Sequence, residues 1–410
     1  MNEPATGNSS AKPSQAFGGL RVIDTTHVLA GPFASYQLGA LGAEVIKVEA
    51  PDDPDQARAQ GSDRAMSDIG MGTAFMAQAS NKKALALDLK TEAGRESLKR
   101  LIATADVFVE NYRPGAFEEL GLGYDAMSEL NPRLIYCSIS AFGSTGPRAH
   151  LTGYDNILQA FSGMMAMTSH IDDGRPLKTG APVVDYATGT TAAFAITAAL
   201  LQRERNGGKG QFVDVSMLDV ALILCSSHLA GFTWNGKHPE PKGNRFPFAT
   251  IGCYEASDQP LMIAASNIRQ QRLLWEALDR GDLVKTDNNQ RLDGHAEEEA
   301  ALREIIAQKP ADYWEQFLNE RRIPAARIRR MEEAINDPQI ATRQVLHKHV
   351  APDSPANGLT VPVVAFHMAD SPSKITMPPQ PVGAQTHDIL QELGYSAVEI
   401  AAMAEAGAIK

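Results

Sequence analysis

Residues 20–48 read LRVIDTTHVLAGPFASYQLGALGAEVIKV, and the fold follows from this stretch. It opens on a short apolar run, Leu20 to Ile23, that ends at Asp24. A polar turn follows, then Gly31-Pro32 and an apolar helical stretch to Leu41. Proline suits the first helical turn, where its missing N–H leaves no bond unmade. Gly42 ends the helix, and Val45 to Val48 read as the next strand. Strand, helix and strand within about 30 residues is the size of a right-handed βαβ crossover.

The pattern recurs downstream. Leu85 to Leu87 reads as a strand, with Thr91 as N-cap of a helix reaching about Ala103. Val107 to Val109 is a strand, followed by the loop Asn111-Tyr112-Arg113-Pro114-Gly115. Leu134 to Ile139 is another, followed by a Gly- and Pro-containing loop. Alternation of this kind implies a parallel sheet covered on both faces, with ligands beyond the carboxyl ends of the strands. The character changes near Ser227. Gly231 to Asn244 reads as a loop, Ile251 to Tyr254 and Leu261 to Ala265 as paired strands, and Arg269 to Leu318 as polar helices. Ala325 to Ile328 and Leu359 to Phe366 read as extended, and His387 to Ala406 as helical. The expected division is a mobile polar tail over 1–16, a large domain over 17–226, a smaller α+β domain over 227–325, and a C-terminal segment over 326–410 that returns to the large domain.

Composition narrows the function classes. The chain has 410 residues, with 38 Lys plus Arg against 49 Asp plus Glu, a net charge of −11. That balance argues against nucleic acid as a partner. Three scattered cysteines, Cys137, Cys225 and Cys253, form neither a disulfide framework nor a metal-ligand pattern, so no metal is expected and a reducing, cytoplasmic setting is the simplest reading. The Ala-rich stretch Tyr186 to Gln202 reads as a buried helix, and no membrane partner is expected. The turn after Asp24 is not G-x-G-x-x-G or a P-loop, and H-E-x-x-H and G-x-S-x-G are absent.

Eight separated segments carry a resemblance. They are residues 21–51, 81–95 (NKKALALDLKTEAGR), 105–124 (ADVFVENYRPGAFEELGLGY), 131–147 (NPRLIYCSISAFGSTGP), 153–168 (GYDNILQAFSGMMAMT), 180–189 (GAPVVDYATG), 208–219 (GKGQFVDVSMLD) and 386–396 (THDILQELGYS). In this order, over about residues 18 to 405, the chain resembles class III CoA-transferases, the group of formyl-CoA and carnitine CoA-transferases. The resemblance implies an α/β protein with a Rossmann-like large domain and a smaller α+β domain, assembled as an interlocked homodimer. It implies transfer of CoA between carboxylic acids, with acyl-CoA (succinyl-CoA among the candidates) and a small carboxylate as substrates. It implies no permanently bound cofactor.

The resemblance also implies a site. Asp185 matches the catalytic aspartate; read from the residues alone, an Asp before a helix is an N-cap. His27, Val28 and Ala30 match a loop against CoA. Leu87 and Lys90 match positions near the adenine and ribose phosphate, and Asn111, Tyr112 and Arg113 match the border of the pantetheine and pyrophosphate. Arg113 is the better phosphate partner by its guanidinium geometry. Ala50 and Glu119 stand where relatives often carry a basic residue. Tyr154, in Gly153-Tyr154-Asp155, replaces the His that related α-methylacyl-CoA racemases use as a base, and a phenol with its ordinary pKa near 10 is a poor base. This favours a transferase over a racemase or epimerase, and the retained Asp185 favours it over a non-catalytic acyl-CoA-binding protein, which needs no carboxylate beside the thioester.

Overall fold

The computed structural model describes residues 15–169 and 173–410; most of the tail expected over 1–16 therefore lies outside the described residues. The chain divides into two compact units, described separately. The first comprises the described residues of Met1–Met164, Lys178–Gly236 and Arg343–Lys410, and the second those of Met165–Leu177 and Lys237–Thr342.

In the first unit six strands form one sheet: β1 (Arg21–Asp24), β2 (Glu44–Glu49), β3 (Lys82–Ala86), β4 (Val107–Glu110), β5 (Ile135–Ser140) and β6 (Gln211–Ser216). Their order is β3-β2-β1-β4-β5-β6, and every neighbouring pair is parallel. The register sets Ile23 beside Ile46 on one side and Phe108 on the other. This is the doubly wound arrangement in which the strand order reverses between β1 and β4. β1, β2, β4 and β5 are buried almost continuously, which is why they read as unbroken apolar runs.

Each face of the sheet has its own helices. On one side α1 (Ala30–Ala40) supplies Ala34 and Leu38, and the 23-residue helix Val183–Arg205 supplies Ala192, Ile196 and Ala199, against Val22, Val45 and Ile135. On the other, Leu98, Leu101 and Ile102 of α2 (Glu92–Ile102) pack with Ile389 and Ile400 against Ile23, Ile46 and Phe108. Each Val, Leu, Ile or Phe among these buried side chains contributes roughly 1.5–3 kcal/mol. The Thr91 hydroxyl accepts from the Gly94 N–H at 3.0 Å, making the expected N-cap. The free edge of β3 is covered by the C-terminal segment. Ala84 N–H donates to Gln385 Oε1, and Ala86 N–H donates to the Thr386 hydroxyl.

Three local expectations change. β3 begins at Lys82, because two lysines hid the start of a strand. Residues 231–235 are not loop: a helix spans Ser226–Asn235 and ends at Gly236, whose φ of +70° permits the left-handed stop and whose N–H donates to the Phe232 carbonyl. The C-terminal region is two helices, Thr386–Glu392 and Ala397–Glu405, the second opened by a Ser396–Glu399 capping box. The helix Val183–Arg205 is long and apolar enough to cross a membrane, and one of its faces packs on α1 and the sheet.

The second unit holds an antiparallel sheet of β7 (Ile251–Glu255), β8 (Pro260–Ala264) and β9 (Ala325–Arg327) in that order. Its core gathers Leu261 and Ile263 of β8 with Leu274, Trp275, Leu302 and Trp314 from the surrounding helices.

Candidate active site

A cleft of about 510 Å³ opens beyond the carboxyl ends of β1 and β4, where the strand order reverses. His27, Val28, Ala30, Leu87, Lys90, Asn111, Tyr112, Arg113, Tyr154 and Asp185 all line it. Four loops and the starts of two helices therefore bring residues up to 158 positions apart, from His27 to Asp185, into a single concavity.

Asp185 is not an N-cap and does not precede the helix. Pro182 holds the N-cap position of Val183–Arg205, and Asp185 is the third residue of its first turn, with its side chain free of capping. The cap comes from elsewhere. Asp155, first residue of helix α3 (Asp155–Phe161), accepts through Oδ2 from the N–H of Val184 at 2.8 Å and of Asp185 at 3.2 Å. Its Oδ1 accepts from Gln159 Nε2, and Gln159 Oε1 accepts from Thr179 N–H at 2.9 Å. One acid–amide pair thus latches the chain before and after Pro182 to α3. Burial, with the Asp155 carboxylate as a second cause, pushes the Asp185 carboxyl up to about 7.

One turn beyond Asp185, Gly189 sits where a Cβ would lie 2.5 Å from the Ala30 carbonyl oxygen and 3.0 Å from the Phe33 ring. The helix can therefore approach the start of α1 only with glycine at this position.

The loops after β1 and β4 are tied to each other. His27 N–H donates to Asn111 Oδ1, and Asn111 Nδ2 donates back to the His27 carbonyl, both at 2.8 Å. His27 Nε2 lies 2.7 Å from the Tyr112 hydroxyl. Burial, followed by the nearby Lys47 ammonium, lowers the His27 pKa, which keeps the imidazole neutral at pH 7. Below the loop, burial pushes the Glu110 carboxyl up to about 7; its Oε2 accepts the Tyr112 N–H. Lys90 is exposed at the rim. Arg113 is exposed and paired with Glu119 at 2.5 Å.

Residues 17–386 match CoA-transferase family III. The chain belongs to this family. It is 35% identical to the acetyl-CoA:oxalate CoA-transferase of Acetobacter aceti, over 87% of this chain and 92% of that protein. It is 34% identical to the succinate–glutarate CoA-transferase of Agrobacterium fabrum, over 92% and 95% of the two chains. It is 35% identical to the succinyl-CoA:mesaconate CoA-transferase of Haloarcula hispanica, over 81% and 85%. The crystal structure of a CAIB/BAIF family protein from Brucella suis superimposes with a TM-score of 0.80 at 31% identity, covering 93% of this chain and 100% of that one.

In this family III CoA-transferase the cleft stands on a cluster of buried ions that the sequence reading missed. Lys82 Nζ donates to Asp24 Oδ2 at 2.9 Å, and Lys47 Nζ donates to the Thr26 carbonyl and pairs with Asp55 at 3.2 Å. Arg58 grips Glu49 through both carboxylate oxygens at 2.7 and 2.6 Å. Burial alone would raise Asp24; Lys82 and Lys47, with the Ser35 and Thr26 hydroxyls, hold it well below the usual carboxylate range. Burial would likewise raise Asp55, but Lys47 and the N–H groups of Val28 and Ala57 outweigh it. Three cations match three carboxylates, so the cluster is neutral as a whole. A signal did exist: Lys47 and Glu49 interrupt an apolar strand of a sheet covered on both faces, and such charges must find partners.

Proposed function

We propose that this enzyme moves CoA from an acyl-CoA, succinyl-CoA foremost, to a small dicarboxylic acid, with Asp185 as the covalent nucleophile. The observation that carries the reading is the Asp185 carboxyl, uncapped and half-buried in the first turn of its helix, lining one cleft with the loops after β1 and β4. The substrate class is supported by the names of similar proteins, which act on oxalate, glutarate and mesaconate.

The steps balance without metal, ATP or redox chemistry. The Asp185 carboxylate attacks the thioester carbonyl, giving an aspartyl–acyl anhydride and the CoA thiolate. The thiolate attacks the Asp185 carbonyl carbon, giving an aspartyl-CoA thioester and the free donor acid. The acceptor carboxylate attacks that thioester and again releases the thiolate, and the thiolate then takes the acceptor acyl group and restores Asp185. Each step passes through an oxyanion that nearby backbone N–H groups stabilise. The Asp185 carboxyl raised to about 7 is more basic than an ordinary aspartate, hence a stronger nucleophile once ionised.

Incubation with succinyl-CoA and hydroxylamine should inactivate the enzyme and leave a hydroxamate on the peptide containing Asp185. Full turnover by Asp185→Ala would overturn the reading. Exchange of the α-hydrogen of a 2-methylacyl-CoA in D₂O would support the racemase instead.

We infer also that two copies associate. Phe194 is 74% exposed, Ile223 66% and Trp234 91%, an apolar surface on the helices Val183–Arg205, Met217–Leu224 and Ser226–Asn235. Light scattering should report a dimer, and Trp234→Asp should weaken it.

A further inference from the structure

Val28 holds a conformation that valine avoids. Its φ is +71°, and among the described residues with left-handed φ outside glycine it alone is β-branched. Clash at Cβ makes this region costly for such a side chain, and it persists only where the surroundings over-determine it.

The surroundings are unusually complete. The Val28 N–H donates to Asp55 Oδ1 at 2.9 Å, and its carbonyl accepts from Gln78 Nε2 at 2.7 Å. Asp55 and Gln78 are both buried. Asp55 is itself fixed by the Ala57 N–H, by its own N–H to Glu49, and by Lys47. The two preceding residues are clamped as well: the Thr26 carbonyl by Lys47, and both backbone groups of His27 by Asn111. Five consecutive backbone groups are thus bonded by side chains from outside the loop, while Val28, Leu29 and Ala30 line the cleft with Asp185.

Gln78 shows that this arrangement is not made for stability. Its Oε1 is buried with no hydrogen-bond partner. A buried unpaired amide oxygen is destabilising, and an apolar side chain of similar size would remove it. The amide is explained by its one bond, to Val28.

We propose that Gln78 and Asp55 are positioning residues that hold Val28 in its left-handed conformation and so set the shape the β1–α1 loop presents to acyl-CoA. The inference rests on the reading of this cleft as the acyl-CoA site.

Gln78→Leu tests it. The substitution keeps the volume, removes the unpaired oxygen and frees the Val28 carbonyl, so that Val28 relaxes out of the left-handed region. The expected result is little change in thermal stability, the lost bond to the Val28 carbonyl offsetting the removed unpaired oxygen, with KM for succinyl-CoA raised and kcat/KM lowered about tenfold, the factor that about 1.4 kcal/mol of lost positioning yields. Glycine enters the left-handed region freely, so adding Val28→Gly to Gln78→Leu should recover most of kcat/KM. A Gln78→Leu enzyme with wild-type kcat/KM, or a loss that Val28→Gly does not recover, overturns the proposal. Asp185→Ala, assayed alongside, separates the two readings. An active Asp185→Ala overturns the catalytic reading and this one with it. An inactive Asp185→Ala beside an unaffected Gln78→Leu overturns this one alone.

Discussion

The Asp155 carboxylate accepts the backbone N–H of Asp185 at 3.2 Å, across 30 residues of chain. One acid therefore orients the other and, by its charge, opposes the other's ionisation. Asp155→Asn keeps an oxygen able to accept that bond and removes the charge. With Asp185 as the proposed nucleophile, an acid limb near 7 is expected in the pH profile of kcat/KM, and in Asp155→Asn it should move to lower pH, so that activity at pH 6 relative to pH 8 rises several-fold. Asp155→Ala should leave two helix N–H groups unpaired and lower kcat at every pH. An acid limb unmoved in Asp155→Asn would mean that burial alone sets the Asp185 titration.

The same raised carboxyl is a stability liability. Asp185 rises from an ordinary 3.8 to about 7 on folding, so the folded chain takes up a proton between these values. Its favourable contribution is complete below pH 3.8 and is lost as pH rises through 7. Asp185→Asn should therefore abolish transfer, on the order of 10⁴-fold in kcat, while raising the melting temperature by on the order of 1–3 °C at pH 8. The gain should vanish near pH 4. Melting curves of both proteins at the two pH values check it.

The parallel sheet was legible because its central strands, Val22-Ile23, Val45 to Val48 and Val107 to Val109, are covered on both faces and read as unbroken apolar runs. Lys82-Lys83 hid the start of β3 because their charges are neutralised by residues distant in sequence, Asp24 and Glu44. The ten cleft residues were legible only through the resemblance, since no spacing rule links His27 to Asp185. Asp155 and Gln78 were not legible in their roles. An Asp opening a helix announces a local cap, and only the tertiary structure turns its carboxylate toward a different helix. The left-handed φ of Val28 has no composition signal at all, because β-branched residues are among those least expected there.

The buried ions predict an acid transition. Asp24, Glu49 and Asp55 are all held below their ordinary values of 3.8 to 4.5 by buried cations. Their contribution is complete above pH 4.5 and is lost as pH falls through the depressed folded values. Lys47→Met keeps most of the volume but leaves Asp55 and the Thr26 carbonyl without their cation. It should cost about 3–5 kcal/mol at pH 7 in urea unfolding. The loss of stability between pH 5 and pH 3 should become shallower, because carboxylates lacking the cation are already less acidic.

The rim of the cleft carries an exposed guanidinium. Arg113, the guanidinium best suited there to a CoA phosphate, is held by Glu119 in an exposed ion pair. An acyl-CoA whose phosphate meets Arg113 has to compete with that carboxylate for the same N–H groups. The pair lies in water, so the competition is modest and screened by salt. Glu119→Gln should lower KM for succinyl-CoA about two- to threefold at low ionic strength. kcat should stay unchanged, because Glu119 lies outside the cleft lining that includes Asp185. The advantage should fade as salt rises toward 0.5 M, whereas Arg113→Ala should raise KM and flatten its salt dependence. Steady-state kinetics of the three proteins across a salt series separates these outcomes, and a Glu119→Gln enzyme with wild-type KM at low salt would show that Arg113 does not meet the phosphates.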